Sequence, residues 1–213
     1  MAAAANPERA RGMRAYMKST MPYYGINMPE VRAITRRVFD SAPMTCDELR
    51  EVASILWAGA RYREERYSVQ IVLAQKRYLE CLGPSDMPML EEMVVSGAWW
   101  DLVDELAGII GDILRRHPRQ MRPLMRRWST DPNLWKRRVS IICQLRFKKQ
   151  TDLQLLYSNI EPNLADRDFF IRKAIGWALR QHAWTDPDEV RGYVRANESR
   201  LSGLSKREAL KNI

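Results

Sequence analysis

Helix signals recur along this chain, whereas signals for β-strands are almost absent. No window alternates apolar and polar residues for long, and no Asn-Gly or Asp-Gly pair offers a hairpin turn. Thr45 with Glu48 and Ser205 with Glu208 have the spacing of helix capping boxes. Two further helix starts place an acid before a proline at the first helical position, Asp131-Pro132 and Asp186-Pro187. The sequence therefore predicts an all-α protein.

The predicted helices come largely as antiparallel pairs. Their approximate ranges are 6–19, 29–40, 46–58, 63–80, 87–95, 98–116, 119–128, 133–148, 152–160, 168–182, 187–197 and 205–212. Asp104, Arg138 and Arg172 lie 34 residues apart on the second helices of consecutive pairs. A helical-pair repeat of this length is typical of an α-solenoid, in which each pair buries its apolar face against its neighbours. A globular helical bundle is the alternative.

Length and composition favour one domain over residues 1–213. No apolar run approaches the roughly 18 residues of a membrane-spanning helix, and no hydrophobic stretch follows the charges of MAAAANPERARG, so we expect a cytoplasmic protein. Cys46, Cys81 and Cys143 are odd in number and far apart, which predicts buried or half-buried thiols. With only two histidines and no CxxC pair, we expect no metal site.

Positive charge is concentrated in one part of the chain. The segment from Ile113 to Lys149 holds twelve Lys or Arg against one acid, Asp131, and therefore carries a net charge of +11. Because the whole chain carries +9, the remaining residues sum to −2. Such a field attracts phosphate backbones through counterion release. The alternative is a solvated helix face. Binding to a membrane surface is disfavoured, because no segment pairs this charge with an exposed face of aromatic and leucine side chains.

The hexad WWDLVD, Trp99 to Asp104, combines aromatic and acidic side chains on a predicted helix. One apolar stripe assigns Trp99 to the core, since it continues at 3–4 residue spacing through Val103, Leu106, Ile110 and Ile113. Trp100 and Asp104 share the neighbouring face, about 100° around the helix. Gly108 and Gly111 follow on that face, where a large partner could approach the backbone closely. Indole and carboxylate would then border a groove.

Several segments together resemble the AlkD-type family of DNA alkylation-repair glycosylases. They are WWDLVD, YMKSTMPYYGINMPEVR (16–32), LWKRRVSIICQLRFK (134–148), FFIRKAIGWALR (169–180) and LSKREALK (204–211). The similarity extends from about Pro7 to the C-terminus. It implies a right-handed solenoid of HEAT-like repeats whose concave basic face cradles duplex DNA. It also implies removal of cationic alkylated purines, 3-methyladenine and 7-methylguanine.

The resemblance assigns roles to individual residues. The catalytic aspartate of the family falls on Asp104, and its two sugar-facing tryptophans fall on Trp100 and Trp177. The arginine that grips DNA falls on Arg138, and Tyr16 aligns with an aromatic residue bordering the same cleft. Weaker assignments to DNA binding are Arg172, Lys173, Lys206, Arg207, Asn27 and Arg32. Relatives usually carry a threonine as helix N-cap where this chain has Met28.

The residue types suit hydrolysis of an N-glycosidic bond. Positive charge develops on the deoxyribose as the base leaves, so a carboxylate near C1′ stabilises the transition state most. A cationic purine leaves as a neutral base without a general acid, and the resemblance implies that the base need not be flipped out. No lysine aligns with a Schiff-base nucleophile, so we expect a monofunctional glycosylase without cofactors.

Alternatives remain at two levels. Arg138 is the one charge in the apolar stripe of Leu134, Ile141 and Leu145; its partner is a DNA phosphate, Asp104 or, at the helix edge, solvent. For the protein as a whole, the first hypothesis is a monomeric repair enzyme that is nucleoid-associated when bound to damaged duplex DNA. The second is a non-catalytic helical-repeat module that binds damaged or branched nucleic acid. A helix-hairpin-helix glycosylase is disfavoured, because the glycine-rich hairpin expected before its aspartate is missing.

Overall fold

A computed structural model describes the whole chain, Met1–Ile213, and contains helices but no strands, which confirms the all-α prediction. The thirteen α-helices are α1 Pro7–Met17, α2 Met28–Asp40, α3 Cys46–Gly59, α4 Arg63–Leu73, α5 Lys76–Leu79, α6 Met87–Gly97, α7 Trp100–Arg116, α8 Pro118–Trp128, α9 Leu134–Ile142, α10 Leu153–Ile160, α11 Phe169–Ala183, α12 Pro187–Ala196 and α13 Gly203–Ala209. Four short 3₁₀ turns complete the structure. No helix combines the length and apolar content that crossing a bilayer requires.

Two predicted helices are shorter in the structure. The segment 63–80 divides into α4 and α5, because the backbone of Gln75 is extended between them. The segment 133–148 ends as a helix at Ile142, and Lys148 adopts the left-handed conformation at φ 53°. The helix ends before Lys148, since residues 143–146 form turns. Both breaks depend on backbone conformations that the apolar pattern does not encode.

Helix caps follow the predicted chemistry but partly use other residues. Thr45 forms its capping box with Glu48, and the Asp186 side chain accepts from the Glu189 backbone N–H. At α9 the prediction of Asp131 as the cap is wrong. The Asn133 side chain accepts the N–H groups of the first helical turn instead, while Asp131 accepts from the Asn133 N–H.

The last helix begins earlier than predicted. Ser202, rather than Ser205, is its N-cap, because the Ser202 hydroxyl accepts from the Ser205 backbone N–H. Lys206 and Arg207 therefore lie in the last turn of α13 and do not open the helix. The prediction that these two residues open the helix is wrong, since they stand at the negative end of the helix dipole, whereas their contacts with the DNA backbone stay a prediction.

The chain forms two compact units, residues 1–82 and 83–213. In the first unit, α1–α5 surround fully buried apolar side chains, among them Ile26, Leu49 and Leu73. The carboxylate of Glu64, also fully buried, accepts from the backbone N–H groups of residues 24, 25 and 26. Assignment of residues 1–213 to a single domain stays a prediction.

One disulfide bond contradicts the cysteine prediction. Cys46 at the start of α3 is bonded to Cys81 after α5, with their Cα atoms 5.3 Å apart, whereas Cys143 is a buried free thiol. The pair is 35 residues apart in sequence. Because only the packing of α3 with α4 and α5 brings the two residues together, the odd count and wide spacing gave no sign of it.

The second unit places α7, α9 and α11 side by side, and glycines set two of the contacts. A Cβ atom at Gly111 of α7 would lie 2.0 Å from the Cys143 carbonyl oxygen. A Cβ atom at Gly176 of α11 would lie 2.4 Å from the Glu208 Cβ of α13. Gly111 is therefore a helix-packing residue, and its predicted place on the face open to a partner is wrong.

Candidate active site

A surface cleft of about 390 Å³ lies along α7, the end of α9 and α11. We call it the Asp104 cleft. It is lined by Trp100, Asp101, Asp104, Glu105, Gly108, Ile142, Leu145, Arg146, Trp177 and Gln181. The structure thus brings together the three residues predicted to be catalytic, although Trp177 lies more than 70 residues after Trp100 and Asp104 in sequence.

The Asp104 carboxylate is held in place by Arg138 of α9. The guanidinium donates to both carboxylate oxygens, from Nε to Oδ1 and from Nη2 to Oδ2, each over 2.7 Å. Its Nη1 donates to the Phe170 carbonyl oxygen, also over 2.7 Å. The Arg138 side chain is 4% exposed and that of Asp104 is 17% exposed. A bidentate pair of this kind fixes the carboxylate in one orientation at the cleft wall.

These contacts decide among the partners predicted for Arg138. In the free protein the partner is Asp104, and Arg138 lies behind the carboxylate rather than on the cleft surface. The reason is geometric. Arg138 and Asp104 lie on the facing sides of the neighbouring helices α9 and α7, so the guanidinium contacts the carboxylate between the two helices.

Burial dominates the electrostatics of Asp104. Loss of solvent raises the pKa of its carboxyl group above the ordinary value, while the hydrogen bonds and charge of Arg138 oppose that rise. The negative charges of Asp101 and Glu105 raise the pKa further. Without Arg138, the carboxyl group would therefore be still harder to ionise.

Two indoles line the cleft with the carboxylate. Trp100 precedes Asp104 by one turn of α7 and is 36% exposed, and Trp177 of α11 is half-buried in the lining of the same cleft. Trp99, the N-cap of α7, packs instead against Trp135 and Phe170, with ring centroids 6.0 and 5.2 Å away. This aromatic cluster supports the start of α7 and leaves Trp100 as the indole facing the cleft.

Arg146 lines the cleft, and its guanidinium lies over Gly108. A Cβ atom at Gly108 would lie 3.2 Å from the guanidinium carbon, so the absence of a side chain makes room for Arg146. The guanidinium lies 3.5 Å from a carboxylate oxygen of Glu105, and the arginine side chain is 66% exposed. A loosely paired, exposed cation therefore stands at the edge of the cleft.

The other basic residues predicted in this unit do not line the cleft. Arg172 donates to the Asp166 carbonyl oxygen, and Lys173 forms an ion pair with Glu208 over 2.6 Å. Lys206 donates to the Glu198 carbonyl oxygen, and Arg207 is exposed in the last turn of α13. Three of these four cations thus serve contacts within the protein.

Three predicted residues belong to the first unit. Tyr16 is 77% exposed near the end of α1, and Arg32 is exposed on α2. Asn27 is the N-cap of α2, where it forms a capping box with Glu30. Capping at this helix is therefore intact despite Met28, and the Asn27 carboxamide is committed to the backbone.

Glu105, Arg146 and Gln181 line the cleft but were not among the predicted site residues. Gln181 lies one turn after Trp177, so helical periodicity could have found it. Glu105 follows Asp104 directly. Arg146 lies beyond the end of α9, so the periodicity of the helix predicted over 133–148 does not give the direction of its side chain. No cluster of three His, Cys, Asp or Glu side chains is arranged to hold a metal ion.

Comparisons with known proteins identify a family and two similar folds. The profile of a family described as DNA alkylation repair enzyme matches residues 1–213. The fold is similar to a solved structure described as a predicted DNA alkylation repair enzyme from Enterococcus faecalis, with 29% identity, a TM-score of 0.88, and coverage of 98% of this chain and 96% of that one.

A more distant solved structure is the smu.31 protein of Streptococcus mutans UA159. It shares 15% identity and a TM-score of 0.61 over 97% of this chain and 98% of that one, which shows similarity of fold alone. No curated protein matches the chain.

Proposed function

Because the chain belongs to the family of DNA alkylation repair enzymes, we propose that it is a monofunctional DNA glycosylase. It hydrolyses the N-glycosidic bond of cationic alkylated purines, 3-methyladenine and 7-methylguanine, in duplex DNA. The observation that carries the proposal is that one oriented carboxylate, Asp104, and two indoles, Trp100 and Trp177, line the same open cleft.

Asp104 stabilises the positive charge that develops on the deoxyribose. The oxocarbenium-like sugar gains charge as the C1′–N bond breaks, so a fixed carboxylate interacts more strongly with the transition state than with the substrate. Arg138 is a positioning residue, because its two hydrogen bonds hold both carboxylate oxygens. The same carboxylate can orient the attacking water.

Trp100 and Trp177 present aromatic faces to the sugar. Polarised C–H groups and growing positive charge are both attracted to the negative face of an indole. The cleft is a shallow surface feature whose walls remain partly exposed, and this geometry suits a sugar held at the protein surface while the base stays stacked. Selectivity would then follow the lability of the cationic leaving group.

No lysine lines the cleft, and the proposed reaction needs neither Schiff base nor metal. A cationic purine departs as a neutral base, so a second acid near the leaving group is not required. We further propose that the helical pairs are HEAT-like repeats of a right-handed solenoid with a basic concave face, and that the protein acts as a monomer in the cytoplasm, associated with the nucleoid when bound to DNA.

A non-catalytic module for damaged or branched nucleic acid is the second candidate. It is favoured by one observation, that Arg138 already binds both oxygens of Asp104 in the free protein. An aspartate with a purely structural role would make the same contacts. The two candidates therefore differ in whether the carboxylate acts on a substrate.

The test measures release of 7-methylguanine from a duplex that contains it. We expect wild-type protein to release the base and Asp104→Asn to lose at least about 100-fold in rate, about 2.7 kcal/mol of transition-state stabilisation. Asp112→Asn neutralises a carboxylate two turns further along α7, outside the cleft, and serves as the matched control. Binding without release by the wild type would favour the non-catalytic module.

A further inference from the structure

We propose that the outer face of α8 binds the phosphate backbone of a second DNA segment, independently of the Asp104 cleft. The inference goes beyond the proposed activity and rests on it only for the identity of the polyanion. It starts from the sequence of α8, PRQMRPLMRRW, which has four arginines and neither an acid nor a lysine.

The arginines of α8 point away from its buried side. Met121, Met125 and Trp128 form one buried stripe at 3–4 residue spacing, and α8 packs through it onto α7 and α9. At 3.6 residues per turn, Arg119 and Arg126 lie roughly opposite this stripe, and both are exposed. The cleft is lined from α7, α9 and α11, with no residue of α8. The two surfaces are therefore separate.

Three of the four arginines form no ion pair. Arg122 is bound to Asp152 over 2.7 Å, whereas Arg119, Arg126 and Arg127 have no acidic partner. The acids nearest along the chain are already engaged: Asp112 with Arg116 and Asp131 with Lys136. The positive charge of this face is therefore not neutralised within the protein.

The spacing of the charges suits a DNA strand. Arg119 and Arg126 are seven residues apart, which corresponds to about 10 Å along the helix axis. One strand of a duplex presents a phosphate about every 3.4 Å of axis, so the row spans about three phosphate-to-phosphate steps. Arginine also forms the bidentate hydrogen bonds that phosphate oxygens accept.

The composition of the face favours DNA over an acidic protein. A protein interface is usually built around aromatic or aliphatic side chains at its centre. No large exposed hydrophobic side chain lies on α8, whose exposed residues are arginines with Gln120, Pro118 and Pro123. A membrane surface would need the same apolar element. Contact through charge alone is the mode by which proteins bind DNA backbones without reading sequence.

The first measurement is a bridging assay on undamaged DNA. A short biotinylated duplex is immobilised, saturated with protein and washed, and capture of a second, fluorescent duplex is measured at low salt. We expect the wild type to capture the second duplex. We expect the triple variant Arg119→Gln, Arg126→Gln, Arg127→Gln to bind the first duplex and lose at least tenfold in capture of the second.

The matched control removes the same charge from another outer helix and its following turn. Arg191, Arg195 and Arg200 are exposed, but acids lie among them, and Arg191 and Arg200 are paired with Asp188 and Glu161. We expect the triple glutamine variant at these positions to keep its bridging activity. Equal loss in both triple variants would show a general effect of net charge and would overturn the proposal.

A second measurement follows the salt dependence of bridging. Removal of three phosphate contacts should lower the slope of log affinity against log salt by about 2.7 for the second duplex. An unchanged slope would overturn the proposal, as would a wild-type protein that binds one duplex and never bridges two. If polyglutamate displaced DNA from α8 and bound more tightly than DNA of equal charge, the partner would be an acidic protein and the choice of DNA would be refuted. Because undamaged duplexes are used, failure to bridge is distinguishable from failure to release a base.

Discussion

The buried pair of Asp104 and Arg138 should serve activity at the expense of stability. Replacing the charges with apolar side chains of similar volume, as Asp104→Leu with Arg138→Met, removes two desolvated charges together. Such replacements are often neutral or stabilising, whereas removal of one partner leaves the other charge buried and unpaired. We therefore expect the double variant to fold stably and to release no base.

The magnitudes follow from the burial and the contacts. Arg138→Met alone leaves Asp104, at 17% exposure, without its cation and the Phe170 carbonyl oxygen without its donor. Because Asp104 retains some solvent, we expect the lower end of the range for broken buried pairs, about 3 kcal/mol, and a similar loss for Asp104→Leu. The double variant should lose at most about 1 kcal/mol, so that its loss falls well short of the sum of the two single losses.

Urea unfolding followed by tryptophan fluorescence measures these differences. Six of the seven tryptophans lie in residues 83–213, so the signal reports mainly the unit that contains the pair. The more accessible pair of Asp112 and Arg116 on α7, whose side chains are 27% and 30% exposed, is the control, since removal of either of its charges should cost less than about 1 kcal/mol. A loss below about 1 kcal/mol in Arg138→Met, or additive losses in the double variant, would refute the reasoning.

Three further predictions address other parts of the structure. Reduction of the disulfide between Cys46 and Cys81, or Cys46→Ser, should lower the unfolding free energy of the first unit by about 4 kcal/mol, because the bond closes a 35-residue separation. Identical thermal unfolding with and without reductant would contradict this. Gly111→Ala should lower the free energy of urea unfolding by about 3 kcal/mol, since its Cβ would meet a carbonyl oxygen at 2.0 Å. Gly192→Ala, with open space around it, is the control and should be neutral or stabilising. Equal effects of the two substitutions would argue against the close approach of α7 and α9. Base release should be lost as pH falls through the raised pKa of Asp104, and removal of its arginine partner should move this acid limb to higher pH; an unmoved limb in the pH–rate profile would mean that another group sets it.

The helical fold could be predicted because its signals are local. Capping residues, prolines and apolar periodicity act within a few residues, and they located most helices to within two or three positions. The errors arose where backbone conformation decided, as at Gln75, or where several polar residues competed for one cap, as Asp131 and Asn133 did. In each case the sequence offers alternative local conformations or caps with signals of similar strength. Only the packed structure decides between them.

The site could be predicted in part, for a different reason. Trp100 and Asp104 share a helix face, and periodicity alone places them together. That Trp177 lines the same cleft depended on the resemblance, because the distance between helices has no local signal. The partner of Arg138 and the disulfide of Cys46 depend on contacts between distant segments, which the residue pattern leaves open.

The central claim, that Asp104 stabilises a positively charged sugar, is tested most directly by affinity for abasic-site analogues in duplex DNA. A cationic pyrrolidine in place of the sugar mimics the charge of the transition state, and a neutral tetrahydrofuran has nearly the same shape. We predict that wild-type protein prefers the cationic analogue at least tenfold, and that Asp104→Asn loses this preference while it still binds the neutral one. Equal affinity of the wild type for both analogues, or an undiminished preference in Asp104→Asn, would contradict the claim.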